Sequence, residues 1–285
     1  MNMFFKNVGY GGQLLALVII FVALFIVGTG MAYMPVLFGY DATNLASQAA
    51  SQLVTFAGSA LLFSYLFSGN TADHLKLTLP SRPVRTAFCV LILFLLVLPA
   101  SDWLAVVNDG WHLPQGLAAL ERTLRDLGEV SQRLLEGFLL REGAGDLAVN
   151  LLVLALVPAL CEELFFRGAL QQLLVGCLGG RHNIAIWLTA AVFSLMHGDL
   201  FAFLPRLLLG AFLGYLFHYG GSLWVNAAAH FFNNASVVVL YFLAARGIID
   251  VGLAESLGLP FVVVVLSLVV CVVLFWLFFV RKEKK

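Results

Sequence analysis

The chain has 285 residues, of which 61% are hydrophobic and 11% charged, with a formal net charge of zero and a mean hydropathy of +0.97. A soluble domain carries about 25% charged residues, and one with this balance would expose apolar patches large enough to aggregate, so the composition fits the lipid bilayer. Zero net charge also argues against a nucleic-acid surface, which needs a basic face to hold phosphate.

A helix needs about 20 apolar residues to cross a bilayer. Eight stretches are candidates: 12–33, 46–67, 84–106, 147–176, 183–197, 201–219, 223–245 and 259–280. The first is longer than the apolar core of a signal peptide and lacks a small-x-small cleavage site, so it reads as a retained helix. The fourth is long for one span. The fifth and sixth are short, separated only by His197-Gly198-Asp199, as befits helices packed inside a bundle. Lys6, Lys76, Arg82, Arg85, Arg181, Arg281, Lys282, Lys284 and Lys285 fall on one side of an eight-span chain, whereas loop 34–45 has no Lys or Arg. The positive-inside rule then puts both termini in the cytoplasm.

Loop 107–146 is extracytoplasmic in that arrangement. Leu117, Leu120, Leu124, Leu127, Leu134 and Phe138 recur at three- and four-residue spacing, and Glu121–Arg125 and Glu129–Arg133 are i,i+4 pairs. The pattern predicts an amphipathic helix that lies on the membrane surface, caps the bundle or meets a partner. Cys89, Cys161, Cys177 and Cys271 form no CxxC pair and read as small hydrophobes.

An ionisable group inside a span costs about 2.5–3.5 kcal/mol on insertion scales. Away from span ends the acidic residues are Glu162 and Glu163 alone, in Cys161-Glu162-Glu163-Leu-Phe-Phe-Arg167. Glu163 and Arg167 are four apart and share a helix side, while Glu162 points about 100° away. The alternative is that both carboxylates only satisfy Arg167. Asn226, His230 and Asn234, spaced by four, make one polar stripe, whose plainer reading is interhelical hydrogen bonding. His197 ends the fifth stretch. Arg206 and His218 read as interfacial. Together, one Glu, two His and one Asn can activate water and stabilise an oxyanion for peptide hydrolysis. They could equally ligate a divalent metal such as zinc through Glu162, His197 and His230. There is no HExxH helix, no GxSxG elbow and no pair of intramembrane aspartates.

Glu162-Glu163-Leu-Phe-Phe-Arg167, Phe193-Ser-Leu-Met-His197 and His230-Phe-Phe-Asn233-Asn234 resemble, in order, the EExxxR, FxxxH and HxxxN motifs of the CAAX-protease and bacteriocin-processing (Abi) membrane family. The resemblance spans about 147–245. It implies an intramembrane endopeptidase acting on a membrane-embedded or lipid-anchored substrate. Glu162 would be the base, Glu163 and Arg167 a supporting pair, His197 and His230 the lining of the water site, Asn234 an oxyanion donor and Phe193 a packing neighbour, with Asn226 in support. Both a metal-dependent and a metal-free glutamate mechanism are argued for the family.

The expected fold is all-α, with about eight transmembrane helices and one interfacial helix. Segment 147–245 is read as the catalytic core, 1–146 as the first three spans with the amphipathic segment, and 246–285 as the last span and basic tail. The short loops suggest a bacterial inner membrane, where prenylated CAAX substrates are not expected. A non-catalytic scaffold or bacteriocin self-immunity factor is the alternative, and a transporter a third, though no duplicated halves are visible.

Overall fold

A computed structural model describes residues 5, 7–37, 45–250, 252 and 258–281. Lys6, Lys282, Lys284, Lys285 and most of loop 34–45, all used above for orientation, lie outside the described residues. Within them every regular element is helical. The helices are α1 Tyr10–Leu37, α2 Leu45–Phe67, α3 Pro83–Asp109, α4 Ala118–Leu139, α5 Ala144–Cys177, α6 His182–Leu195, α7 Phe203–Gly220, α8 Leu223–Ala245 and α9 Phe261–Val280.

Seven are long and apolar enough to cross a membrane: α1, α2, α3, α5, α7 with its leading turn, α8 and α9. The protein is therefore an integral membrane protein with an all-α fold. The fifth expected span, α6, has 14 residues, or about 21 Å at the α-helical rise, short of a hydrocarbon core of about 30 Å. It is kept in place by its neighbour. Gly210 and Gly214 of α7 sit against Ala190 and Ile186 of α6, and a Cβ on Gly210 would lie 3.1 Å from the Ala190 Cα. This small-x-x-x-small face lets two backbones meet where larger side chains would hold them apart. Between them the chain turns at Gly198, whose φ is +71°.

The core has two main parts. One gathers Leu17 of α1, Ala60 and Phe63 of α2, Phe165, Phe166, Ala169 and Leu173 of α5, and Phe193 of α6. The other gathers Val90, Leu93 and Val97 of α3, Leu213 and Leu216 of α7, Val225 and Ala229 of α8, and Cys271 of α9. Helix α7 is central, with 56% of its span buried, against 11% for α1 and α9. Connections near α5–α8 are bonded to the bundle. Ser222 Oγ donates to the Thr78 carbonyl and Trp224 Nε1 to that of Leu77. Asn108 Nδ2 donates to the Leu200 carbonyl, and its Oδ1 accepts from the Leu204 amide.

The amphipathic helix is α4, docked at both ends. Glu121 Oε2 accepts from the Leu113 amide at 2.8 Å, and its Oε1 lies 2.9 Å from His112 Nδ1 and 3.1 Å from Arg125 Nε. Arg125 lies over the Phe201 ring, 3.8 Å from its centroid. At the other end Leu139 packs on Val238 and Tyr241 of α8. Between them Leu120, Leu127, Val130 and Leu134 are exposed. Both expected i,i+4 pairs are formed.

Two outcomes follow from this packing. Gly210→Val should lower stability by about 1–3 kcal/mol through overpacking, seen as a lower thermal midpoint in detergent. The same change at Gly30, where a Cβ meets nothing within 4 Å, should leave the midpoint in place. The Leu113 amide above all, then His112 and Arg125, pull the Glu121 carboxyl down to about 2. A folded value below the unfolded one stabilises docking above pH about 4.5, and that contribution fades as pH falls towards 2. Hydrogen exchange at the Leu113 amide, corrected for intrinsic rate, should accelerate across that window in the native protein and be pH-independent in Glu121→Gln.

Candidate active site

Helix α5 supplies both glutamates. On either side of Val157–Glu163 it leaves regular α geometry for wider π turns, at Leu151–Leu156 and Leu164–Gln171. Such turns are uncommon and concentrate at functional sites. Adjacent residues on a helix diverge by about 100°, so Glu162 and Glu163 serve different surroundings.

Glu163 faces α7 and α8 and is fully engaged. Its Oε1 takes the Arg167 guanidinium at 2.7 Å and His230 Nδ1 at 2.8 Å, and its Oε2 takes the Asn226 side-chain amide. Arg167 also donates to the Gly210 carbonyl at 2.8 Å, and one turn on Gln171 donates to that of Gly214 at 3.1 Å. Glu163, Arg167 and Asn226 are completely buried. A charge in such surroundings is tolerable only when paired and hydrogen-bonded, as both are here.

Glu162 stands apart from that network. It is 7% exposed, and its Oε2 is buried without a hydrogen-bond partner, 3.8 Å from His230 Nε2. Because His230 Nδ1 meets a carboxylate, which only accepts, that nitrogen carries the hydrogen and Nε2 is turned towards Glu162. His197 Nδ1 lies 2.8 Å from the Phe193 carbonyl, so it too is the N–H nitrogen, leaving His197 Nε2 as an acceptor. Glu162 and His197 line one open cavity of about 310 Å³, with Phe25 of α1, Ser51, Gln52, Thr55 and Phe56 of α2, Phe166 and Met196. The Phe193 ring packs edge-on against both His197 and His230.

The structure thus gathers Glu162, Glu163, Arg167, Phe193, Asn226 and His230 in one cluster, with His197 on the wall of the cavity that Glu162 also lines. Asn234 is half-buried one turn beyond His230, and its hydrogen bond is to the Asn233 amide at 3.1 Å, not to Glu162. Among the described residues no three His, Cys, Asp or Glu side chains are placed to hold a metal ion. Glu162, His197 and His230 therefore do not close into a ligand set as they stand. Of the residues first read as interfacial, Arg206 pairs with Asp199 at 3.4 Å and His218 stacks on His182.

Several groups went unseen in sequence. Gly210 and Gly214 form a GxxxG pattern that hydropathy alone passes over, yet it signals close helix approach. Gln171 follows Arg167 by one turn and could have been read from that spacing. Asn108 and the Ser51–Gln52–Thr55 wall carried no local signal, since their partners are distant in sequence.

The fold and this buried cluster define a polytopic membrane protein with a polar site sunk among its helices. Residues 144–236 match the model of the family described as type II CAAX prenyl endopeptidase Rce1-like. That segment is an Rce1-like domain of the CAAX-protease family, and at family level the match supports an intramembrane CAAX-type protease. Among curated proteins and among solved structures, nothing matches the chain.

Removing one side of the buried ion pair should be costly. Arg167→Met leaves the Glu163 carboxylate uncompensated and should lower unfolding stability by about 3–5 kcal/mol. Adding Glu163→Gln to it should restore part of the loss. A double variant no more stable than the single one would show that the charge is not what makes the site costly to break.

Proposed function

We propose that the protein is an intramembrane endopeptidase that hydrolyses a peptide bond of a membrane-associated protein or peptide with water activated by Glu162. The observation that carries this reading is a buried Glu162 oxygen without a hydrogen-bond partner, at the wall of a cavity shared with His197. Glu163, by contrast, has both oxygens engaged by Arg167, Asn226 and His230, whereas this carboxylate oxygen is left for a small polar guest.

In the proposed reaction a water in the cavity donates one hydrogen bond to Glu162 and another to His197 Nε2. Glu162 takes its proton as the oxygen attacks the scissile carbonyl carbon. The carbonyl π bond opens to an oxyanion, which takes a hydrogen bond from His230 Nε2, while Nδ1 of the same ring donates to the Glu163 carboxylate. Asn234, whose Oδ1 accepts from Asn233, keeps Nδ2 as a donor for this oxyanion. Glu162 then gives its proton to the leaving amine, and the C–N bond breaks as the carbonyl re-forms. Held in place by Glu163, Arg167 and Asn226, His230 needs little reorganisation. Segment 147–245 is the catalytic core in this reading. Lys76, Arg82, Arg85 and Arg181 share one side of the bundle, which supports that side as cytoplasmic, and the short loops fit a bacterial cytoplasmic membrane.

The test is Glu162→Gln, which keeps shape and removes the base. Membrane proteomes of cells carrying either form should differ in a terminus that disappears, with its uncut precursor accumulating by about 10²-fold or more. Matching proteomes, with the variant still complementing a deletion, would turn the reading to a non-catalytic scaffold.

A further inference from the structure

Part of the wall of the cavity that Glu162 lines belongs to α2. Ser51, Gln52 and Thr55 make it polar in a helix otherwise suited to lipid, while Phe25, Phe56, Phe166 and Met196 make the rest apolar. Gln52 Oε1 is buried and has no hydrogen-bond partner. An unmet buried carbonyl is destabilising, and such a group calls for an explanation. Helix α2 leaves α geometry for a π turn at Leu53–Gly58, directly after Gln52, as α5 does directly after Glu163. The two interrupted helices therefore meet where their polar side chains face one space. Gly28 lets α1 pack closely on this stretch of α2, since a Cβ there would overlap Thr55 Oγ1 and come within 3.0 Å of the Ser51 carbonyl.

A carboxamide offers one acceptor and an N–H pair in a single plane, the complement of a peptide group. We propose that Gln52 is a substrate-binding residue: its side-chain amide pairs with the backbone of an extended peptide lying between α2 and Glu162, and the apolar walls take a hydrophobic side chain beside the scissile bond. This rests on the peptide-cleaving reading for the identity of the guest, but not on hydrolysis taking place. At about 310 Å³ the cavity is at the small end of ligand sites, room for a short segment rather than a folded domain.

The experiment places a photo-crosslinking benzoylphenylalanine at Met196, on the cavity wall, in full-length protein in native membranes. Capture of membrane peptides is read by mass spectrometry in the Glu162→Gln background, with and without Gln52→Leu or Gln52→Asn. Leu keeps the volume of Gln and loses the amide; Asn keeps the amide and loses volume. If Gln52 binds the peptide, Leu should cut capture by about tenfold, the worth of a lost hydrogen bond to a buried partner. Asn should retain more of it than Leu, with neither variant lowering the thermal midpoint. Capture insensitive to Leu, greater retention by Leu than by Asn, or no captured peptide in any form each overturns the inference. The same peptide captured uncut when Glu162 is intact, yet lost with Gln52→Leu, supports the role of Gln52 and sinks hydrolysis alone.

Discussion

The buried pair of Arg167 and Glu163 is the constraint around which the helices are arranged. Neither charge would survive in the bundle alone, because taking an ion out of water costs several kcal/mol even after the surroundings relax. The guanidinium meets this demand with Glu163 on its own helix and the Gly210 carbonyl on α7. The carboxylate meets it with Asn226 and His230 on α8. Three helices are thereby held at one level by groups that have no comparable partner if any one slides. A buried ion pair is weak evidence for net stability; what it supplies here is register, and through register the aim of the His230 ring.

That requirement explains the glycines. A carbonyl within an α-helix already accepts one hydrogen bond, and a second donor must come in close from the side. Gly210 and Gly214 expose their carbonyls to Arg167 and Gln171, and the same absence of side chains admits α6 to the other face. The shortness of α6 follows as well. A helix wrapped this closely on a partner need not satisfy lipid along its full length, so 14 residues suffice to bring Phe193 and His197 to the site.

Much of this could be read from sequence wherever the signal is periodic. The i,i+4 relation of Glu163 and Arg167, the Asn226–His230 stripe and the amphipathic face of α4 follow from helical pitch, and the structure has them as expected. Hydropathy separated the long spans and marked α6 as a short one suited to the bundle interior, but it does not say which neighbour buries it. Partners remote in sequence stayed hidden. Nothing near Arg167 announces Gly210, and Gln52 looks like an incidental polar residue until α2 is laid against α5. Asn234 shows the opposite case: its spacing extends the stripe, yet its side chain is bonded to its neighbour.

The cavity is built by two separable parts of the chain. Glu162, Phe166, Met196 and His197 come from within the segment that matches the family model, whereas Phe25, Ser51, Gln52, Thr55 and Phe56 come from helices before it. Reactive groups and the facing wall can therefore accumulate changes at different rates. Substitutions in α1 and α2 could retune what fits without disturbing the charge network in α5 and α8, so relatives with the same three motifs need share no preference for what they hold.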